Sequence, residues 1–353
     1  MLWLERYQPK RLQDLTYNRK VRELLEVVAQ SDDFPHLLLH GPNGAGKRTR
    51  IRCLLHALFG DKVYHMKGEV REFKKPSGGT VECLVLSSPY HIEVTPADAG
   101  TQDKLVIQQL IKEAASSHAM DLGRKRGKEK AAAFKIIVLH QADRLSADAQ
   151  ASLRRTMEKY MSNCRLLLDA ECITKVSAPL RSRVMKMRVA APSMDNILDG
   201  LAYIVKKERL PLRDNTLEQI AAGSQRNMRR AVMILQSSWN SVQGRQTAPG
   251  RLAAPPYELH VRQIVHDILA EQSVSCVAKV RVKLYEAVVK LIPASTILRL
   301  FVRFLRPLVG QQLLLRLLPV LAILDGRCHS TVKDLYHLEA GAAFLMTLVA
   351  RYA

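Results

Sequence analysis

Residues 41–47 read GPNGAGK, which matches the pattern G-x-x-x-x-G-K. In this pattern the glycines let backbone N–H groups curl around phosphate oxygens, the following helix adds partial positive charge, and the lysine reaches the terminal phosphates. This seven-residue segment lies between a short apolar run, HLLLH at 36–40, and a helical pattern from about Arg48 to Phe59. Because a strand, a glycine-rich turn and a helix follow in this order, the sequence predicts a phosphate-binding loop.

The residues after this loop do not supply the usual magnesium ligand. A serine or threonine normally follows the lysine and binds Mg²⁺ through its hydroxyl. Here Arg48 holds that position, and the hydroxyl comes one residue later at Thr49. One step along a helix turns a side chain by about 100°, which places Thr49 badly. We therefore expect Mg²⁺ to bind weakly or not at all.

The end of the predicted central strand lacks the two acidic residues that a nucleotide-hydrolysing site normally has there. Residues 134–139 (FKIIVL) are apolar on both faces, as expected of a central parallel strand. Such a strand should end in Asp-Glu, but it runs into His140 and Gln141. An amide cannot accept a proton, and losing general-base help costs about 10²–10⁴-fold in rate. We expect the site to bind a nucleotide but to hydrolyse it poorly or not at all. The alternative is that Asp143, just beyond the strand, substitutes.

Strands and helices alternate around these motifs. Further strands are predicted at Val81–Leu86 and Cys164–Leu168, and further helices at about 102–115 and 147–160. This alternation predicts an α/β domain, with a parallel sheet and helices on both faces, over residues 1–190.

The pattern becomes helical after this domain. Two or three helices are predicted within a small domain at 191–243. The segment 244–257, rich in Pro and Gly, is a predicted linker. Residues 258–353 are predicted to be all-helical, with apolar residues three and four apart, and are expected either to bury surface against partner subunits or to form a self-contained bundle.

Composition narrows the class of partner. Lys and Arg number 54 against 33 Asp and Glu, which gives a net charge of +21 and favours nucleic acid first and an anionic membrane surface second. Aromatic residues are only 5%, which argues against base-stacking platforms.

Residues 308–324 contain two Gln, an Arg and a Pro, so a buried amphipathic helix pair fits them better than a membrane span. The charged N-terminus is unlike a signal peptide, and six scattered cysteines form no C-x-x-C pair. We expect a soluble, intracellular protein without a bound metal.

Several segments together resemble the small subunits of replication factor C, the eukaryotic sliding-clamp loader of the AAA+ class, and most nearly the subunit-3 type. The opening LWLERYQP is similar to that family's N-terminal W-x-x-K/R-Y-x-P motif. The segments that carry the rest of the likeness are HLLLHGPNGAGKRTR around the loop, DAQASLRRTMEKYMSNCRLLL at 148–168, SAPLRSRV at 177–184 and YHLEAGAAFLMTL at 336–348. The resemblance implies an α/β AAA+ module at 1–190, a helical lid at 191–243, a linker and an all-α C-terminal collar at 258–353.

The resemblance also implies roles for single residues. Arg183, in an S-R-V that replaces the family's S-R-C, would act in trans on the nucleotide of the neighbouring subunit, and Arg229 would be the sensor arginine of the lid. Glu171 stands where the family usually has Asn, which again indicates a weak catalytic site. The residues expected to bind ATP or ADP are Arg6, Tyr7, Gly41, Asn43, Gly44, Ala45, Gly46, Lys47, Arg48, Thr49 and Arg229.

The resemblance further implies an assembly. Five replication factor C subunits would form a heteropentamer in the nucleus, open the ring-shaped sliding clamp and load it on primer–template DNA during replication and repair. The net charge suits contacts with the DNA backbone. Candidate contacts are Lys104, Lys112 and the basic loop 124–130.

Two other classes of function stay open at this point. A catalytically active AAA+ remodelling ATPase would need an acidic residue at 140 or 141. A nucleic-acid-binding scaffold without a nucleotide would have no use for Gly44, Gly46 and Lys47.

Overall fold

The computed structural model describes residues 2–31, 33–74, 79–116, 134–160, 164–210, 214–243, 255–330 and 333–352. The strands in these ranges are β1 Leu37–His40, β2 Lys67–Lys74, β3 Thr80–Ser87, β4 His91–Val94, β5 Lys135–Leu139, β6 Cys164–Ala170 and β7 Met185–Arg188. The helices are α1 Trp3–Arg6, α2 Arg19–Gln30, α3 Lys47–Phe59, α4 Asp103–Ser116, α5 Ala147–Lys159, α6 Ala178–Arg181, α7 Met194–Glu208, α8 Asp214–Gly223, α9 Met228–Gln243, α10 Pro256–Ala270, α11 Val274–Val289, α12 Ala294–Leu305, α13 Gln311–Ser330 and α14 Asp334–Tyr352.

The strands form one sheet in the order β2-β3-β4-β5-β6-β1-β7. β4, β5, β6, β1 and β7 pair in parallel, which confirms the α/β class predicted from the sequence. β3 runs antiparallel to both β2 and β4, however, and thus departs from the expected parallel arrangement. The connections at both ends of β3 are short, and a parallel crossover needs a dozen or more residues, so only antiparallel pairing is open to it.

Each central strand is buried on both faces. In β5, Ile137 and Leu139 join one apolar core together with residues of α4 and α5. Ile136 and Val138 join a second core together with residues of α2 and α3. Since successive side chains of a strand point to opposite faces, the near-continuous apolar run at 134–139 is the pattern expected for a sheet covered by helices on both sides.

The carboxyl ends of β1, β5 and β6 lie side by side. In the strand register His40 pairs with Ala170, and Leu139 pairs with Leu168. The residues that follow these ends therefore share one edge of the sheet: the phosphate loop after His40, His140 after Leu139, and Asp169 near the end of β6. This edge is where ligands bind in open parallel sheets.

Helices α7, α8 and α9 form the lid, with a core that includes Ile197, Leu201 and Leu235. Trp3 of α1 is buried in the same core. The N-terminal segment is therefore packed against the lid, and its backbone is tied there as well, since the N–H of Trp3 donates to Oε1 of Gln236 at 3.0 Å.

Residues 253–353 form a second compact unit, separate from the unit at 1–252. Its helices α10–α14 enclose an apolar core that includes Leu284, Phe301, Leu317 and Leu338. The helix pair expected at 308–324 is instead the single helix α13, which continues through Pro319. The linker prediction for 244–257 falls mostly outside the described residues, and α10 begins at Pro256.

None of the helices formed by the described residues combines the length and the apolar character needed to cross a membrane.

Candidate nucleotide site

The phosphate loop connects β1 to α3 as a tight glycine turn. Gly44 and Gly46 have φ angles of 74° and 83°, a left-handed conformation that favours glycine. A Cβ on Gly44 would lie 1.8 Å from Oδ1 of Asn227, and one on Gly41 would lie 2.0 Å from the carbonyl oxygen of Val189. Space therefore requires glycine at Gly41 and Gly44, and the backbone conformation requires it again at Gly44.

The middle of the loop is held from behind by a buried arginine. Arg50 has no exposed surface, and its Nη1 donates to the carbonyl oxygens of Ala45 at 3.0 Å and Gly46 at 3.2 Å. The Tyr17 hydroxyl also donates to the carbonyl oxygen of Ala45 at 3.0 Å. On the outer side, Oδ1 of Asn43 accepts from the N–H of Gly44 at 2.9 Å. The loop is thus fixed in place by its own chain.

Lys47 begins α3 and turns back over the loop. Its Nζ donates to the carbonyl oxygens of Gly41 at 2.7 Å and Pro42 at 3.1 Å. Burial lowers the pKa of Lys47 and Arg229 of the lid acts in the same direction, while Asp169 opposes it. The ammonium lies where it could transfer from these carbonyl oxygens to a phosphate bound by the loop.

Arg48 and Thr49 contact different parts of the protein. Nε of Arg48 lies 3.5 Å from Oδ2 of Asp169. Oγ1 of Thr49 accepts a hydrogen bond from Nε2 of Gln8 at 3.2 Å. The arginine that follows the loop lysine therefore faces the sheet edge, whereas the first hydroxyl of α3 is engaged with the N-terminal segment.

His140 lies between two buried carboxylates. Its Nδ1 is 2.7 Å from Oδ2 of Asp169, and its Nε2 is 3.4 Å from Oε2 of Glu93. Burial opposes a charge on His140, but the hydrogen bonds to Asp169 and Glu93 outweigh it and raise the pKa of the imidazole. Burial likewise disfavours the charge of Asp169, but the hydrogen bond from His140 prevails and lowers the pKa of that carboxyl. These contacts favour the protonated imidazole, in which both ring nitrogens donate.

Gln141 and Asp143 are held by neighbouring loops. Gln141 has a φ of 55°, its N–H donates to Oδ1 of Asp169 at 2.6 Å, and its Oε1 accepts from Nη1 of Arg144 at 3.1 Å. Oδ2 of Asp143 accepts from the N–H of Cys172 at 3.2 Å, and its Oδ1 is buried without a hydrogen-bond partner among the described residues. Neither residue presents an acid to the position directly after β5.

The lid approaches the loop through the start of α9. Oδ1 of Asn227 accepts from the N–H of Arg230 at 3.1 Å and so caps the helix. The same oxygen occupies the space beside Gly44. Arg229, in the first turn of α9, is close enough to Lys47 to influence its pKa. The lid therefore brings a helix N-terminus and an arginine toward the phosphate loop.

Arg6 and Tyr7 share one partner on the lid. Nη1 of Arg6 and the hydroxyl of Tyr7 donate to Oε1 of Glu208 at 2.8 Å and 2.5 Å. The hydrogen bond to Glu208 raises the pKa of Tyr7. The ring of Tyr7 also packs edge-on against Tyr203. The N-terminal motif thus links the end of α7 to the side of the site near Thr49.

Arg183 lies at a different place and is held by its own chain. Its Nε is 2.5 Å from Oε1 of Glu158, and its Nη1 donates to the carbonyl oxygen of Pro179 at 2.8 Å and to Oγ of Ser182 at 3.3 Å. About a third of the side chain, 34%, is exposed. The guanidinium is thus preoriented at the surface and does not contact the phosphate loop of its own chain.

The candidate DNA-contacting residues are only partly described. Lys104 and Lys112 are both exposed on α4. The basic loop 124–130 lies outside the described residues.

Sequence reasoning missed Glu93, Asp169 and Glu208. Asp169 could have been found, because it ends the apolar run RLLL and the carboxyl ends of parallel strands meet at one edge. Glu93 lies in a strand that the sequence analysis did not predict, and nothing in the sequence pairs Glu208 with the N-terminal motif.

Two family models match parts of the chain, and full-length relatives match nearly all of it. Residues 257–353 match the family described as "Replication factor C subunit 3, C-terminal domain", and residues 199–238 match "RCF1/5-like, AAA+ ATPase lid domain". Replication factor C subunit 5 of Neurospora crassa is 38% identical over 351 residues, which cover 99% of this chain and 98% of that protein. Human replication factor C subunit 3 is 36% identical over 99% of this chain and 97% of its own length.

Among solved structures, the Thermotoga maritima RuvB Holliday junction branch migration motor matches 74% of this chain and 79% of its own chain, at 14% identity and a TM-score of 0.47. The full-length identity to subunits 3 and 5, together with the matched lid and C-terminal domains, decides the family. This chain belongs to the replication factor C subunit 3/5 family.

Proposed function

We propose that the chain is a small subunit of a clamp loader that binds ATP or ADP, hydrolyses it poorly or not at all, and contributes Arg183 to the nucleotide of a neighbouring subunit. One observation carries the proposal. The positions directly after β5 hold His140 and Gln141, and Nδ1 of His140 forms a hydrogen bond with Oδ2 of Asp169 at 2.7 Å. A hydrolysing site needs acidic residues at those positions.

Nucleotide binding is supported by the loop and by the lid. The loop leads into the N-terminus of α3, which has no side-chain cap and whose first N–H groups suit phosphate oxygens. Lys47 is half-buried beside the loop, and Arg229 approaches from α9. Arg6 and Tyr7 link the N-terminal segment to the lid through Glu208. The site therefore has cations for the phosphates and a segment that can cover the base.

Weak hydrolysis follows from proton chemistry. An attacking water needs a group that positions it and accepts its proton, and the amide of Gln141 cannot accept one. Asp143 is the next acid beyond β5. Its Oδ2 is anchored to the N–H of Cys172, which restricts the carboxyl, although its Oδ1 has no hydrogen-bond partner among the described residues and its charge acts on Lys47. Glu171 adds negative charge near Lys47 and disfavours a triphosphate. Each departure acts against catalysis at this site.

The trans role of Arg183 is supported by its exposure and its orientation. A guanidinium from a neighbouring chain can neutralise charge on a transferring phosphoryl group. Arg183 is held at the surface by Glu158 and by the carbonyl oxygen of Pro179. This arrangement keeps the side chain accessible to a second subunit while restricting its motion.

Assembly is supported by the surface of the C-terminal unit. Large apolar residues there are strongly exposed, among them Val274 at 89%, Leu291 at 88% and Leu308 at 63%. Apolar residues exposed to this extent would be covered if the unit packs against partner proteins. We propose that this unit is the collar through which the chain joins other replication factor C subunits in a heteropentamer. The proposed complex works in the nucleus, in replication and repair, and acts on the sliding clamp and on primer–template DNA.

Isolation of the native complex tests this function. The tagged full chain is purified under mild conditions, and both the protein stoichiometry and the bound nucleotide are measured. We expect one copy of this chain with four other replication factor C subunits, and nucleotide retained at its site. Recovery of the chain as a ring of identical copies would instead support an active AAA+ remodelling ATPase.

A further inference from the structure

The edge of the sheet beside Lys47 does not offer Mg²⁺ the ligands it usually uses. Mg²⁺ prefers oxygen ligands in octahedral geometry and is normally held by one or two carboxylates, waters and the phosphates of the nucleotide. Here an arginine takes the place of the usual hydroxyl at 48, and an imidazole takes the place of the usual carboxylate at 140. Within the described residues, no three His, Cys, Asp or Glu side chains are arranged to hold a metal.

The carboxylate beside Arg48 is already engaged at both oxygens. Oδ1 of Asp169 accepts from the N–H of Gln141 at 2.6 Å. Oδ2 of Asp169 is 2.7 Å from Nδ1 of His140 and 3.5 Å from Nε of Arg48. A metal ion at this carboxylate would have to displace a backbone donor or the side chains of His140 and Arg48. Asp169 is therefore not available to Mg²⁺, and the buried carboxylate oxygen that stays open near Lys47 among the described residues is Oδ1 of Asp143 alone, without the hydroxyl that would normally accompany it.

The second carboxylate is neutralised in the same way. Oε2 of Glu93 lies 3.4 Å from Nε2 of His140 and 3.9 Å from Nη2 of Arg52, and its Oε1 lies 3.6 Å from Nε2 of His91. Glu93 and Asp169 are each 3% exposed. The cluster thus holds two buried anions among cationic and imidazole side chains, which leaves little attraction for a further cation.

Arg48 has the geometry that a metal substitute requires. It lies in the first turn of α3, directly after Lys47, and 43% of its side chain is exposed. Asp169 contacts it through Nε, so that the terminal nitrogens are left to meet a ligand. A guanidinium with free terminal nitrogens binds phosphate oxygens through two parallel hydrogen bonds. Because Asp169 contacts Nε of Arg48, it orients the two terminal nitrogens of the guanidinium.

We propose that Arg48, steered by Asp169 and with Asp169 locked by His140, occupies the place of the divalent cation and binds the phosphates of the nucleotide without metal. This inference rests on the proposed nucleotide binding. It assigns to the site a role in selecting the metal-free form of a nucleoside diphosphate or triphosphate. In this arrangement Arg48 binds the ligand, Asp169 is a positioning residue, and Lys47 and Arg229 supply the remaining positive charge.

The experiment measures the affinity of the full chain for fluorescently labelled ADP, with Mg²⁺ and with EDTA. The unmodified chain should bind with the same affinity in both buffers, within about threefold. Arg48→Ser should lose about tenfold or more in EDTA, the size expected for a lost charged hydrogen bond, and Mg²⁺ should restore part of the loss because serine provides the missing hydroxyl. Arg155→Ser, which removes an exposed arginine of α5, is the control and should change neither affinity.

The outcomes separate this inference from the function on which it rests. If the unmodified chain loses more than about threefold in EDTA, or if Arg48→Ser binds as tightly in EDTA as the unmodified chain, the role of Arg48 is contradicted while nucleotide binding stands. If the unmodified chain binds in neither buffer, nucleotide binding itself is contradicted. A thermal melt of each variant shows whether a loss of affinity reflects a loss of folding.

Discussion

At the scale of single residues, the phosphate loop depends on the absence of a side chain at Gly44. Its φ of 74° favours glycine, and its missing Cβ leaves room for Oδ1 of Asn227, which caps α9. The loop and the lid therefore meet at one point. A side chain at this position would strain the backbone and push the lid away from the phosphate loop.

Gly44→Ala should accordingly weaken nucleotide binding and lower the free energy of unfolding by about 2 kcal/mol, from backbone strain and a displaced helix cap. Gly60→Ala is the matched control, because Gly60 has a φ of 71° and no described atom lies within 4 Å of the place that its Cβ would take. Because a ψ of −161° puts Gly60 in a backbone region that is essentially restricted to glycine, this substitution should also cost about 1–3 kcal/mol, but it should leave binding unchanged. Urea unfolding and a labelled-nucleotide titration measure both effects. Equal losses of binding in the two variants would show that the contact with Asn227 does not matter.

Arg183 and Arg154 both contact Glu158, at 2.5 Å and 3.8 Å, which makes them a matched pair. Arg183→Ala should remove trans catalysis, worth about 10³-fold or more at the neighbouring site, so that turnover by the assembled complex falls by the share of that site. Arg154→Ala should leave turnover unchanged. Steady-state ATPase assays on complexes of checked stoichiometry decide the point. Normal turnover with Arg183→Ala would remove the trans role.

At the scale of elements, the buried cluster links the ends of β4, β5 and β6. His140 lies between Glu93 and Asp169, which favour its protonated form, and its side chain is 8% exposed. Removing one member of a buried charged group leaves the others uncompensated, which is costly. The cluster therefore stabilises this sheet edge in one charge state.

His140→Gln should lower the free energy of unfolding by about 3 kcal/mol at neutral pH. Since the pKa of His140 is raised in the folded protein, its stabilising contribution is fully present below the ordinary value of 6.5 and is lost as the pH rises through the raised pKa. The unmodified chain should thus lose stability toward alkaline pH, and His140→Gln should lose less of it. Urea midpoints across pH measure this. His65→Gln, at an exposed histidine, should keep the dependence of the unmodified chain.

The sequence predicted the strand–loop–helix unit and the central strands because their patterns are local. The glycine spacing at 41–47 and the apolar run at 134–139 can be interpreted without knowing their neighbours. The cluster at His140 could not be predicted in this way, since Asp169 and Glu93 meet it only through the strand order β4-β5-β6. The strand β3 was predicted at Val81–Leu86, but its antiparallel pairing was not, because its partner strands β2 and β4 were not recognised.

At the scale of the whole molecule, the net charge of +21 is the feature most relevant to the proposed partner. Cations on a protein surface release counterions from DNA, so each phosphate contact adds to the salt dependence of binding. Lys104 and Lys112 are exposed on α4 and are proposed contacts of this kind.

The double variant Lys104→Ala/Lys112→Ala should weaken binding of the assembled complex to primer–template DNA. It should also reduce the slope of log affinity against log salt concentration by about 2, close to one per lost contact. Lys20→Ala, at an exposed lysine of α2, is the control and should change neither quantity. Fluorescence anisotropy over a salt series measures both. An unchanged slope in the double variant would place the DNA elsewhere.

The central claim is that this chain holds a nucleotide and does not cleave it. The most direct measurement incubates the full chain with ATP labelled at the γ-phosphate, separates bound from free nucleotide over time, and identifies the bound species. We predict that label stays on the protein as intact ATP, that phosphate is released no faster than in buffer, and that Lys47→Ala abolishes retention. Phosphate release by the lone chain that is fast and is lost in Lys47→Ala would contradict the account.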